Sequence, residues 1–121
     1  MKQIEGSAIA GADLSAAALQ FTLLKAHSTA GQLVSCAAGD PIVAILLEGN
    51  TSGKPIKVAW VGGSSIVKVR AGGNITAGAN VAAGTAEAVT TSTAGHYVLG
   101  YALEAGADNR IISVAVATSR F

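Results

Sequence analysis

Residues 36–60 read CAAGDPIVAILLEGNTSGKPIKVAW, and 56 positions further on residues 92–116 read STAGHYVLGYALEAGADNRIISVAV. Superposed without a gap, they share Ala38/Ala94, Gly39/Gly95, Leu47/Leu103, Glu48/Glu104, Ile56/Ile112, Val58/Val114 and Ala59/Ala115. The same register sets Ile42 against Val98 and Lys54 against Arg110. Each copy is an apolar run ending in Leu-Glu, a small polar turn, a basic residue, and a run alternating around Ile and Val. Period-two alternation marks a strand with one buried face, and two such runs across a short polar turn make a β-hairpin. One hairpin is used twice, which points to a scaffold before it points to any reaction.

Outward from the repeat, the pattern from Gln20 onward is β throughout. Strands are expected over residues 21–27, 32–37, 42–48, 54–61, 65–70, 86–91, 97–104 and 110–118, separated by turns such as Thr29-Ala30-Gly31, Asp40-Pro41 and Gly62-Gly63. Residues 71–84, AGGNITAGANVAAG, place Ala-Gly pairs ahead of Ile75 and Val81, which suits a tight strand-to-strand corner. No stretch sustains a 3.6-residue apolar period, so little helix is expected. Residues 1–18 are small, mixed and aperiodic, and read as an arm that stays mobile until it meets a surface. The alternative there is a short helical turn over residues 14–19 capped by Asp13. The expected division is an arm, 1–18, and a single all-β domain, 19–121.

The chain has 121 residues, 25 of them Ala and 15 Gly, with five aromatics: Phe21, Trp60, Tyr97, Tyr101 and Phe121. Small side chains let sheets pack closely but bury little area per strand, so burial between subunits would add stability, at about 25 cal/mol per Å2 of apolar surface. Charged residues are 12% of the chain and the net charge is +1, a balance that favours association and leaves no footprint for nucleic acid. Cys36 is the single cysteine, so no intrachain disulfide forms. The apolar run over residues 42–47 is too short to span a bilayer. Glu5 and Asp13 interrupt the opening stretch where an export signal would be apolar, and synthesis in the cytoplasm is expected.

Several patterns suggest chemistry and fail on context. Ser65-Ile66-Val67-Lys68 has the Ser-x-x-Lys spacing of serine acylases, but it lies in an alternating strand, where Lys does not fold back onto Ser. Gly73 and Gly78 have phosphate-loop spacing but are followed by Ala79-Asn80, with no lysine to meet a phosphate. His27 and His96 have no second ligand at metal spacing, so neither a metal nor another cofactor is expected. Asn50-Thr51-Ser52 and Asn74-Ile75-Thr76 are glycosylation sequons by pattern alone. Glu48 and Glu104 could be paired as acid and base, but the repeat relates them and each precedes a basic residue by six. Structural ion pairs Glu48–Lys54 and Glu104–Arg110 at the hairpin bases explain them. A lone Trp60 at strand period belongs in a core more often than in a binding hot spot.

Taken together, the corner over residues 71–81, the run Val98-Leu99-Gly100-Tyr101-Ala102-Leu103-Glu104 with Ala105-Gly106 after it, and Ile111-Ile112-Ser113-Val114 resemble the capsid decoration (cement) proteins of tailed bacteriophages. The resemblance implies a small β-barrel or β-sandwich of duplicated hairpins with an extended N-terminal arm. It implies a homotrimer on the outer surface of an icosahedral head, bound to the major capsid protein and stabilising the expanded shell, with no enzymatic activity, no cofactor, and no nucleic-acid or membrane partner. On that reading the arm grips the capsid through Met1, Lys2, Gln3, Ile4, Glu5, Ile9 and Leu14, since 18 extended residues reach about 60 Å. Two rivals remain. One is a small-molecule or carbohydrate-binding barrel using Trp60, Tyr97, Tyr101 and His96; the other is a hydrolase using Glu48 and Glu104.

Overall fold

The computed structural model describes residues 4–16, 19–28, 31–61, 66–84 and 86–121. The described residues form ten strands: β1 Ile4–Ala10, β2 Leu23–Ala26, β3 Gln32–Ser35, β4 Ala44–Glu48, β5 Pro55–Trp60, β6 Ile66–Arg70, β7 Asn80–Ala83, β8 Ala88–Val89, β9 Tyr97–Ala102 and β10 Ile111–Arg120. Eight of them fall where alternation and turn residues predict strands. The exceptions are β1, inside the expected arm, and β7, inside the expected corner. The architecture is all-β, with one closed barrel and a second five-stranded sheet.

The expectation of a free arm is corrected. β1 pairs antiparallel with β5 from Ile4↔Trp60 to Ile9↔Pro55, and parallel with β3 at Ile9↔Gln32 and Ala10↔Leu33. Bonded along both edges, it closes the barrel β1-β3-β2-β4-β5. Its small residues hide it from a pattern search and also explain why it fits. Gly6 lies under the Trp60 indole, where any Cβ would collide, and Ala10 is fully buried. The strand is held by backbone ladders more than by side-chain area.

The second sheet runs β6-β10-β9-β7-β8, and a parallel bridge Ala71↔Ala88 ties its two ends together. Substituting β6 for β1, β7 for β2, β8 for β3, β9 for β4 and β10 for β5 converts one strand order into the other, with every strand direction preserved. The registers agree as well. Leu46↔Val58 in the first hairpin corresponds to Ala102↔Val114 in the second, each partner displaced by 56 residues. Around both rings the equivalent pairs are Ala10/Ala71, Leu24/Val81, Leu33/Ala88, Leu46/Ala102 and Val58/Val114, separations of 61, 57, 55, 56 and 56 residues.

Backbone conformation repeats on the same spacings. The described residues with left-handed φ form four equivalent pairs: Phe21/Gly78, Gly31/Ala86, Gly39/Gly95 and Gly53/Asn109. Loop hydrogen bonds repeat too. Leu14 N donates to Asn50 O as Ile75 N donates to Gly106 O, and Ala10 N donates to Lys54 O as Ala71 N donates to Arg110 O. Across the described residues, and not only in the hairpin read from the sequence, one five-strand unit is built twice, closed into a barrel by the β1–β3 pairing in the first copy and tied by the single Ala71↔Ala88 bridge in the second.

Each copy has its own interior. Ala10, Leu14, Leu24, Leu33, Ala44, Leu46, Ile56 and Val58 fill the first. Equivalent positions Ala71, Ile75, Val81, Ala88, Ala102, Ile112 and Val114 fill the second. That second cluster extends onto the outer wall of the first barrel, taking in Leu23, Cys36, Ile45 and Ala59. The backbone joins the two as well: Leu23 N donates to Ala86 O at 2.7 Å, Ala86 N to Cys36 O at 2.9 Å, and Arg70 N to Phe21 O at 2.8 Å.

Candidate interaction surface

The exposed large apolar side chains among the described residues are Ile66, Tyr97, Tyr101, Leu103 and Phe121, all in the second copy. Three come together through sheet register and strand position. Ile66 on β6 opposes Ala115 on β10, which opposes Tyr101 on β9. Cross-strand partners share a face, so Ile66, Ala115 and Tyr101 form one row across the outer wall, with Asn80 of β7 as its fourth member. Leu103, two residues beyond Tyr101, is 52% exposed and its N–H donates to Ser113 O at 2.9 Å. Tyr97 and Phe121 lie at the far end of the hairpin. There the Arg120 guanidinium sits 5.1 Å from the centre of the Tyr97 ring, within cation–π range.

The residues expected to carry function are placed differently. Met1, Lys2 and Gln3 lie outside the described residues. Ile4, Glu5 and Ile9 are register positions of β1, spent on the barrel ladder, and Leu14 is buried in the first interior. Ile4, Glu5, Ile9 and Leu14 are therefore barrel positions and not parts of a free arm.

The hairpin ion pairs are corrected too. A bulge between Leu46 and Glu48 brings Glu48 opposite Lys57 instead of Lys54. Glu104 Oε2 accepts from Ser113 N at 3.1 Å, so its carboxylate caps the neighbouring strand instead of meeting Arg110. Among the described residues the ion pair that forms is Lys25 Nζ–Asp40 Oδ2, at 2.7 Å. Asp40 also accepts from Ala37 N, and the Lys25 hydrogen bond, followed by this one, holds its carboxyl below the usual range. Lys25 is raised in turn, chiefly by its hydrogen bond to Asp40. The pair, with Asp40 at a turn and Lys25 on β2, has no obvious sequence signal, because its partners sit on different elements. Burial, then the Asp40 charge, pushes the Cys36 thiol up to about 12, so the thiolate is scarce at neutral pH.

Neither rival arrangement gathers in space. Glu48 lines an open cleft of about 250 Å3 with Asn50, Pro55 and Lys57, on the first copy, whereas Glu104 belongs to the second. Trp60 packs on the first interior, while Tyr97 borders a cleft of about 70 Å3 with Pro41 and Ile42. Both clefts fall below the usual 300–1,000 Å3 of small-molecule sites. His96 lies against Gly39 at the junction of the copies, its Nδ1 2.9 Å from Thr91 Oγ1.

Fold and surface define a class: a tandem pair of five-strand barrels with an apolar row on one outer wall. No protein-family model matches the chain, and no curated protein does. Among solved structures it is similar to the crystal structure of the head fiber gp8.5 N base of bacteriophage phi29. That similarity has a TM-score of 0.76 and 19% identity, and covers 98% of each chain. At that identity the likeness is one of fold.

Proposed function

We propose that this chain is a structural protein of a bacteriophage virion, carried on the outside of the head, where it binds the major capsid protein. The supporting observation is the extent of the fold likeness, 98% of both chains against a protein described as a head fiber base. The finer reading is that it cements the expanded shell as a homotrimer and catalyses no reaction. Binding only the expanded state would stabilise that state by about 2.7 kcal/mol per site when free protein stands a hundredfold above its dissociation constant. Summed over many sites, such contacts would hold a shell against packed DNA without any single strong interaction.

Co-sedimentation with expanded and unexpanded phage heads tests this. Saturable binding to expanded heads, with their disruption shifted to higher temperature, is the expected result. Binding with no shift in disruption would leave a head-attached protein that does not cement. No binding to any head would reject the proposal.

A further inference from the structure

The row that is open on the second copy is closed on the first. In the first barrel Glu5, Ala59, Ile45 and Leu23 oppose one another across β1, β5, β4 and β2. By strand order and register these are the equivalents of Ile66, Ala115, Tyr101 and Asn80 in the second. Leu23, Ile45 and Ala59 are fully buried and belong to the core that the second copy builds against them. At the equivalent positions Tyr101 is 47% exposed and Ile66 37%, while Asn80 and Ala115 are half-buried. The same wall of the same barrel is thus a seat for a barrel in one copy and bare in the other.

We infer that the Ile66–Ala115–Tyr101 wall is a seat for a second copy of this chain. The internal joint is the precedent for the occupant: a barrel of this sequence type already covers this wall once, over Leu23, Ile45 and Ala59, the equivalents of Asn80, Tyr101 and Ala115. The bare wall has kept apolar side chains, and among the described residues the exposed large apolar ones are confined to this copy.

One difference sets how the partner can bind. On the first barrel the backbone of Ala86 inserts between Leu23 and Cys36. Their equivalents on the second are Asn80 and Thr91, and there Asn80 Nδ2 donates to Thr91 O at 3.0 Å while Thr91 N donates to Asn80 Oδ1 at 3.0 Å. The Asn80 amide fills the slot that a loop would otherwise enter. A second copy therefore meets the wall face on, through side chains, and the internal stacking does not continue as a backbone-bonded series.

The inference deepens the homotrimer part of the proposed function by assigning it a surface, and it is argued from barrel geometry and not from the phage likeness. A chain that self-associates through this wall yet ignores phage heads would reject that reading and leave this one standing. The test is light scattering on the full chain beside the double variant Ile66→Lys/Tyr101→Lys, with hydroxyl-radical footprinting of the wild type across a dilution series. The wild type is expected at a multiple of 11.9 kDa and the variant at 11.9 kDa, with Tyr101 labelling rising on dilution. A monomeric wild type at every concentration, an oligomeric variant of unchanged mass, or Tyr101 labelling that ignores dilution would each overturn it. The footprint needs no variant and so holds however the substitutions affect folding.

Discussion

At the scale of single residues, the left-handed positions separate conformational cost from packing cost. Gly31 has φ +78° with no atom near where a Cβ would stand, whereas its equivalent Ala86 accepts the same region at φ 70°. Ala86 tolerates it because its N–H and C=O are both fixed between Leu23 and Cys36 and its side chain is buried. Gly31→Ala meets only the backbone penalty, partly offset by a less flexible unfolded chain, and should cost about 1 kcal/mol. Gly100→Ala is a different case, because its Cβ would run into the Ala115 carbonyl in the neighbouring strand. Backbone cannot swing aside as a side chain can, so a loss of at least about 2 kcal/mol is expected. Urea midpoints at equal m-value measure both, and a Gly100→Ala loss no larger than that of Gly31→Ala would refute the distinction.

At the scale of elements, β1 decides whether the first barrel exists. Deleting residues 1–10 removes the strand that bridges β5 and β3 and exposes two unpaired strand edges. It also opens the interior that Ala10 helps to close. The truncated chain should lose its cooperative melt and aggregate, where a dispensable arm would leave a folded protein of nearly unchanged stability. Far-UV circular dichroism through a thermal ramp distinguishes the two. Retention of the full transition would return these residues to the role of an arm.

At the scale of the whole molecule, the two barrels are not independent units. One apolar cluster fills the second copy and covers the wall of the first, so the outer wall of the first copy is buried only with the second in place. Ile45 is the clearest case: it is on the first barrel, fully buried, and its cover belongs to the second. Calorimetry should show a single transition with equal calorimetric and van't Hoff enthalpies. Ile45→Ala should lower that one transition, by about 2–5 kcal/mol at a buried aliphatic, and two resolved transitions would contradict a shared core.

Strand content, turn positions and the duplicated hairpin were legible in the sequence, because period-two alternation and an ungapped 56-residue spacing survive in residues 42–61 and 98–117. The remaining three strand pairs were not, since their spacings of 61, 57 and 55 break any ungapped alignment and their Ala, Gly and Ser residues carry almost no pattern. Among the sites, the composition of the apolar wall could be read but its existence could not. Whether Tyr101 or Ile45 is bare depends on where the other barrel sits. The ion pair also moved from the hairpins to Lys25–Asp40 because a bulge and long-range packing, not spacing, set which charges meet. Local alternation determines that a segment is a strand; closure of the two rings determines which strands pair, and their contact determines which wall is left open.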